Sequence, residues 1–165
     1  MIRRALTSLL EDDVALRAIC VGVGSERFVR DLERGHRSIA GRVLATSRLS
    51  PSDVAVHLSA CDLLLQPYPD GVTTRRTSVM AGLANGRPVL TTSGALTEPI
   101  WAGTSAVALA AADRANAFRL AARELVADAD RRAALAARGD AVYRSHFALE
   151  HTIAMLRDLR GAAAA

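Results

Sequence analysis

The stretch 62–92, DLLLQPYPDGVTTRRTSVMAGLANGRPVLTT, constrains the fold more than any other part of the chain. The apolar run Leu63, Leu64, Leu65 is too short for a helix and stops at Pro67 and Pro69, so it reads as a buried strand that releases a loop. The loop carries Gly71 and feeds a helix that opens at Arg75 and Arg76, and a second strand follows over 88–91. A strand, a helix and a strand in that order make a parallel pair with a helical crossover. The first N–H groups of such a helix have no intrahelical partner and sit at the positive end of its dipole, so the unit is built to favour an anion. Arg75 and Arg76 add full charges beside it.

The same alternation runs through the rest of the chain. The spacing predicts a helix over 2–10, a strand over 16–21, a helix over 26–33 and a short strand over 43–46. A helix then starts near Pro51, with Ser50 as its N-cap and Asp53 supporting its positive end. The remaining strands are expected over 62–66, 88–91 and 106–109. From Asp113 onward apolar residues recur at helical spacing, with breaks near Asp128 and His146, which predicts three C-terminal helices. No repeat or linker interrupts the pattern, so 1–160 reads as one domain, with 161–165 as a disordered tail. The fold class expected is three-layer α/β with a mainly parallel sheet of about five strands.

At 165 residues a domain of this kind buries a proper core without disulfides or a metal. No apolar run is long enough to span a membrane, and MIRRALTSLLEDD acquires acidic residues within one helical length, unlike a signal peptide. A cytoplasmic protein is expected. Cys20 and Cys61 form no C-x-x-C pair and read as buried reduced thiols; His36, His57, His146 and His151 lack ligand spacing, so no metal site is expected. Every one of the 21 basic residues is arginine, which excludes lysine chemistry such as a Schiff base. The net charge of +4 invites a nucleic-acid reading, but the arginines alternate with acids along helices and few aromatics interleave them. Solvated helix faces are the better account.

Four segments carry candidate chemistry. ICVGVGSERF turns from strand to helix through Gly22 and Gly24, a pair that serves either a tight turn or a close ligand; the third glycine of a dinucleotide fingerprint is missing. In DGVTTRRTS, Gly71 can take a conformation closed to other residues, Val72, Thr73 and Thr74 bring backbone and hydroxyl donors, and Arg75 and Arg76 bring forks suited to phosphate. Two arginines at a helix start oppose its dipole and cost stability unless an anion is present. The alternative is a solvent loop whose arginines pair with Asp70. Glu98, in the LTEP loop after the 88–91 strand, is a candidate for a sugar hydroxyl or for a helix cap, and Trp101 for packing or stacking. Arg48 and Leu49, in ATSRLSP, could flank a planar ligand. All four segments lie at carboxyl ends of strands, where open parallel sheets bind ligands.

In this order the motifs resemble the C-terminal, donor-binding half of GT-B fold glycosyltransferases of group 1. The resemblance runs from residue 1 to about 160 through VGVG, TSRLSPSDV, SACDLLLQPYPDG, MAGLANGRPVLTT and GALTEP. It implies a Rossmann-like domain that is one half of a GT-B fold, binding a nucleotide-diphosphate sugar as donor substrate, with no cofactor and no metal. By position, Ser47, Arg48 and Leu49 lie near the base, Gly71 to Arg76 hold the diphosphate and sugar, and Glu98 lies near the donor. Many members carry two glutamates eight positions apart; here those positions are Thr73 and Ala81, and D-G-x-T-x-R-R resembles a divergent subgroup.

The family domain also opens with a strand and a G-R-L-like turn before the helix that here begins at Ile2. That strand lies between those expected at 16–21 and 62–66. Its absence implies that these two close up directly, that another chain fills the gap, or that the piece is unstable. The function implied is transfer of a hexose, with retention, to an acceptor bound by a separate domain or partner chain, with association through exposed strands as a further possibility. The competing reading is a non-catalytic nucleotide- or phosphate-binding module that pairs with another protein through its sheet.

Overall fold

A computed structural model describes residues 1–114 and 116–163. In chain order the elements are α1 (Ile2–Asp12), β1 (Ala18–Cys20), α2 (Ser25–Gly35), a 3-10 turn (Arg37–Ile39), β2 (Val43–Ala45), α3 (Pro51–Ser59), β3 (Leu64–Gln66) and α4 (Thr77–Ala84). Then come β4 (Val89–Ser93), α5 (Pro99–Thr104), β5 (Ala108–Ala111), α6 (Ala117–Ala127), α7 (Ala129–Val142), a π-turn (Tyr143–Phe147) and α8 (Leu149–Ala163). The expected strands and long helices are present, shifted by a few residues. Residues 164 and 165 of the expected tail lie outside the described residues.

Local chemistry sets the boundaries. Ser50 caps α3 by accepting from the Asp53 N–H at 3.2 Å, and Pro51 occupies the first turn, where no N–H is missed. Asp128 caps α7 through the Arg131 N–H at 2.8 Å, which is the break expected there. The break near His146 is a π-turn that redirects the chain into α8. Not every apolar position of the C-terminal segment enters the core: Ile153 and Leu156 on α8 are exposed.

All strand pairs are parallel, yet the five strands do not make one sheet. β1 pairs with β2, and β3, β4 and β5 pair in that order, as two separate sheets. Direct closure of β1 onto β3 does not occur. Helix α1 spans both units: Ala5 and Leu9 pack with Leu90, Ala110, Phe118 and Leu125, while Leu6 and Leu10 pack with Val29, Leu32, Ile39 and Val43. Leu16, just before β1, and Leu63 and Leu65, at β3, all pack against the first of these clusters.

The register shows which backbone groups of β1 and β3 point away from their paired strands. Ala18 donates to Arg42 O and Cys20 accepts from Thr46 N, so Ile19 directs its N–H and C=O away from β2. Leu64 donates to Pro88 O, which likewise turns the backbone groups of Leu65 away from β4. Neither residue has a strand partner on that side among the described residues. Their amides should exchange with solvent faster than those of Cys20 and Leu90 by at least about tenfold, equivalent to roughly 1.4 kcal/mol of protection, in residue-resolved hydrogen exchange. Equal protection would mean that these groups are paired.

β4 is the central strand of its sheet, and Val89, Leu90, Thr91 and Thr92 are all buried. The two buried threonines are satisfied by the chain leaving β3. Thr91 Oγ1 donates to Gln66 O at 2.7 Å, and Thr92 Oγ1 contacts both Tyr68 N (2.7 Å) and Tyr68 O (2.5 Å). The hydroxyls thus extend the contact of β3 and β4 beyond the strand end and aim the following loop.

Candidate functional site

The loop after β3 is clasped to the loop after β4. Val72 donates to Thr92 O at 3.0 Å, and Leu96 donates to Asp70 O at 2.8 Å. At the centre of the clasp Gly71 has φ +96, and a Cβ on it would lie 2.3 Å from Thr97 Oγ1 and 2.6 Å from Gly94 N. Only glycine fits here, for backbone and packing reasons together. The Val72 side chain is wholly buried and its N–H is taken by Thr92 O, so Val72 does not supply the ligand donor expected of it.

Glu98 joins the two loops. Its carboxylate accepts from the Thr74 backbone N–H, from Thr74 Oγ1 at 3.0 Å and from Trp101 Nε1 at 3.3 Å. It stands at the N-cap position of α5 without a side-chain capping bond, so capping is not what its carboxylate does. Trp101 is fully buried and its ring is stacked 5.8 Å from that of Phe147, which is the packing reading of that residue.

The two arginines differ. Arg76 Nη2 donates to both carboxylate oxygens of Asp70, at 2.7 and 2.9 Å, and its guanidinium lies 4.3 Å from the centroid of the Tyr68 ring. Its Nε is buried without an acceptor. Arg75 is exposed and has no ion-pair or hydrogen-bond partner among the described residues. Helix α4 begins one residue after Arg76, with no side-chain cap and no acid in its first turn. The N–H groups of Thr73, Arg75, Thr77 and Ser78 have no partner among the described residues. The pairing of a loop arginine with Asp70 is therefore realised for Arg76 alone, and the uncapped helix start directly follows the loop that carries Arg75.

The other candidates form a second group on the other sheet. Gly22 (φ +110) and Gly24 (φ +88) carry the chain from β1 into α2, and an added Cβ on either would meet open space. Gly22 N donates to Thr46 Oγ1 at 3.2 Å, and Ser25 Oγ donates to Thr46 O, which brings this turn to the start of the segment Ser47, Arg48, Leu49. Ser47 and Arg48 are exposed and Leu49 is half-buried. Thr46 and Ser25 make this junction and were not singled out from the sequence; a small hydroxyl residue after each strand was the only signal.

Cys20 and Cys61 are free thiols as expected, but each is half-buried and not fully buried. Burial pushes the Cys20 thiol up, and burial followed by the neighbouring Asp62 pushes up Cys61, with Arg87 opposing. Both are held in the protonated, weakly nucleophilic form. Among the described residues no group of histidine, cysteine and acidic side chains is arranged to hold a metal, and no helix is long and apolar enough to cross a membrane.

The family model described as glycosyl transferases group 1 matches residues 1–128. The chain belongs to the group 1 glycosyltransferases. Among solved structures this glycosyltransferase domain resembles sucrose-phosphate synthase of Thermosynechococcus elongatus, with a TM-score of 0.72 and 17% identity over 98% of the chain. It also resembles Anabaena HepE in complex with UDP and glucose (TM-score 0.69, 18% identity) and with UDP-glucose (0.68, 19%), each over 96% of the chain. These similarities show the Rossmann-like fold of one half of a GT-B glycosyltransferase. The chain spans 42% of the sucrose-phosphate synthase and 44% of the HepE structures. No curated protein shows significant sequence similarity to it.

Proposed function

We propose that this chain is the donor-binding half of a retaining hexosyltransferase and that its ligand is a nucleotide-diphosphate sugar. One observation carries the reading: in a group 1 glycosyltransferase domain, the uncapped start of α4 and the unpaired Arg75 meet at the DGVTTRRTS loop. A diphosphate placed there takes the free N–H groups of Thr73, Arg75, Thr77 and Ser78 and offsets the charge of Arg75. The same groups would stabilise the diphosphate as it leaves, without a metal and without a protein nucleophile. In this reading Gly22, Gly24, Ser47, Arg48 and Leu49 belong to the base side of the donor.

The acceptor is bound elsewhere, by another part of a longer protein or by a partner chain, in a cytoplasmic setting. The unpaired backbone groups of Ile19 and Leu65 support such a partner, because a parallel strand inserted between them would complete both ladders. Self-association through the same edges is the alternative. A chain lacking its acceptor side forgoes the proximity on which much of the rate depends, so transfer by this chain alone is expected to be weak.

Calorimetric titration of the purified chain with UDP, GDP and their sugars tests the reading. Saturable binding of a nucleotide sugar is expected, and the double substitution Arg75→Ala, Arg76→Ala should cost more than about 1.5 kcal/mol of it. Absence of binding to every nucleotide sinks the donor-site reading and favours a non-catalytic partner domain.

A further inference from the structure

We propose that the two adjacent loop arginines divide their labour: Arg75 is the cation that meets the donor's phosphate, and Arg76 is a positioning residue that never touches it. This inference rests on the donor-site reading above and sharpens it. The guanidinium of Arg76 is already engaged on one edge by both oxygens of Asp70 and on one face by Tyr68. The Tyr68 hydroxyl in turn contacts Ser78 Oγ at 2.6 Å, so Arg76 ties the strand exit at 68–70 to the first turn of α4. Moving Arg76 onto a phosphate would break its bonds to Asp70 and its contact with the Tyr68 ring, and leave Asp70 uncompensated beside an incoming dianion.

Thr74 is withheld from the ligand by the same logic. Its N–H and hydroxyl both serve Glu98, whose carboxylate holds in place the segment from which Arg75 projects. Asp70 with Arg76 and Glu98 with Thr74 are therefore two internal anion contacts on either side of one residue. Arg75 lies between them in sequence, exposed and with no such contact among the described residues. A phosphate requires a cation that pays no penalty for leaving another partner, and Arg75 meets that condition.

The experiment compares R75A, R76A, D70N and the D70N/R76A double variant, with UDP-glucose and GDP-glucose as probes. R75A should weaken binding at least about tenfold, flatten its dependence on salt concentration, and leave the melting temperature within about 1 °C of the parent. R76A should lower the melting temperature by about 2–5 °C while the salt dependence of the remaining affinity keeps the parent's slope. D70N should reproduce part of that loss, and D70N/R76A should melt no lower than R76A, because both substitutions break one contact. A parent that binds while R75A binds equally well overturns the division alone. So does an R76A variant of unchanged stability with a flattened salt dependence. A parent that binds neither probe overturns the donor-site reading and this inference together.

Discussion

An alanine at position 71 is expected to cost about 3–5 kcal/mol, the sum of forcing an L residue to a positive φ and of overpacking a closed contact. The two contributions are separable in the structure. At φ +96 the backbone alone opposes any side chain, by roughly 1–2 kcal/mol. The added Cβ would then stand 2.6 Å from Gly94 N, a backbone atom with no rotamer to escape into. Thr97 Oγ1, at 2.3 Å, could swing away only by releasing its 2.8 Å bond to Gly94 N, which fixes the second loop. A fall in melting temperature of about 6–15 °C should follow, with matching loss in urea denaturation. Gly22→Ala is the control, because φ there is +110 but the Cβ meets open space. It should lose only the backbone share, about 1–2 kcal/mol. A Gly71 variant no worse than the Gly22 variant would show that the two loops are not clasped as described.

That clasp also marks how far the sequence could be read. The strand Leu64–Gln66, its release at Pro67 and the glycine of the turn are all legible, because each depends on residues within a few positions of one another. The cap at Ser50 and the break at Asp128 are legible for the same reason. Glu98 is different. Its role depends on meeting Thr74, 24 positions away, and a carboxylate before Pro99 looks like a capping residue until the second loop is seen beside it. Arg76 and Asp70 lie only six positions apart, and the sequence allows their pairing, but nothing in it distinguishes Arg76 from Arg75 as the partner. The six-residue helix Pro99–Thr104 is too short to show periodicity. The division of the strands into two sheets could be anticipated only through the family resemblance. Periodicity identifies strands, whereas pairing depends on what lies between them.

The buried Trp101 is where the core and the candidate site become one problem, and Trp101→Ala is expected to cost about 3–5 kcal/mol. Its ring packs in the cluster formed by Leu58, Leu64, Val72, Val79, Leu83, Val89 and Val107, and it stacks on Phe147 from the π-turn. Truncation removes that contact and leaves a cavity in the cluster to which Val72 of the loop also belongs. The Nε1 donor is lost as well, which deprives the Glu98 carboxylate of one of its three hydrogen bonds. Trp101→Phe separates these effects: it keeps much of the apolar volume and loses the donor, so about 1–2 kcal/mol is expected from unfolding by urea. If the ring only fills space, the phenylalanine variant will bind a nucleotide sugar as the parent does. If the indole N–H also holds Glu98 against Thr74, that variant will show faster amide exchange at Thr74 than the parent. The second outcome is expected, since no donor other than Thr74 and Trp101 contacts that carboxylate among the described residues. An alanine variant that loses less than about 1.5 kcal/mol would mean that the loop does not rest on this ring.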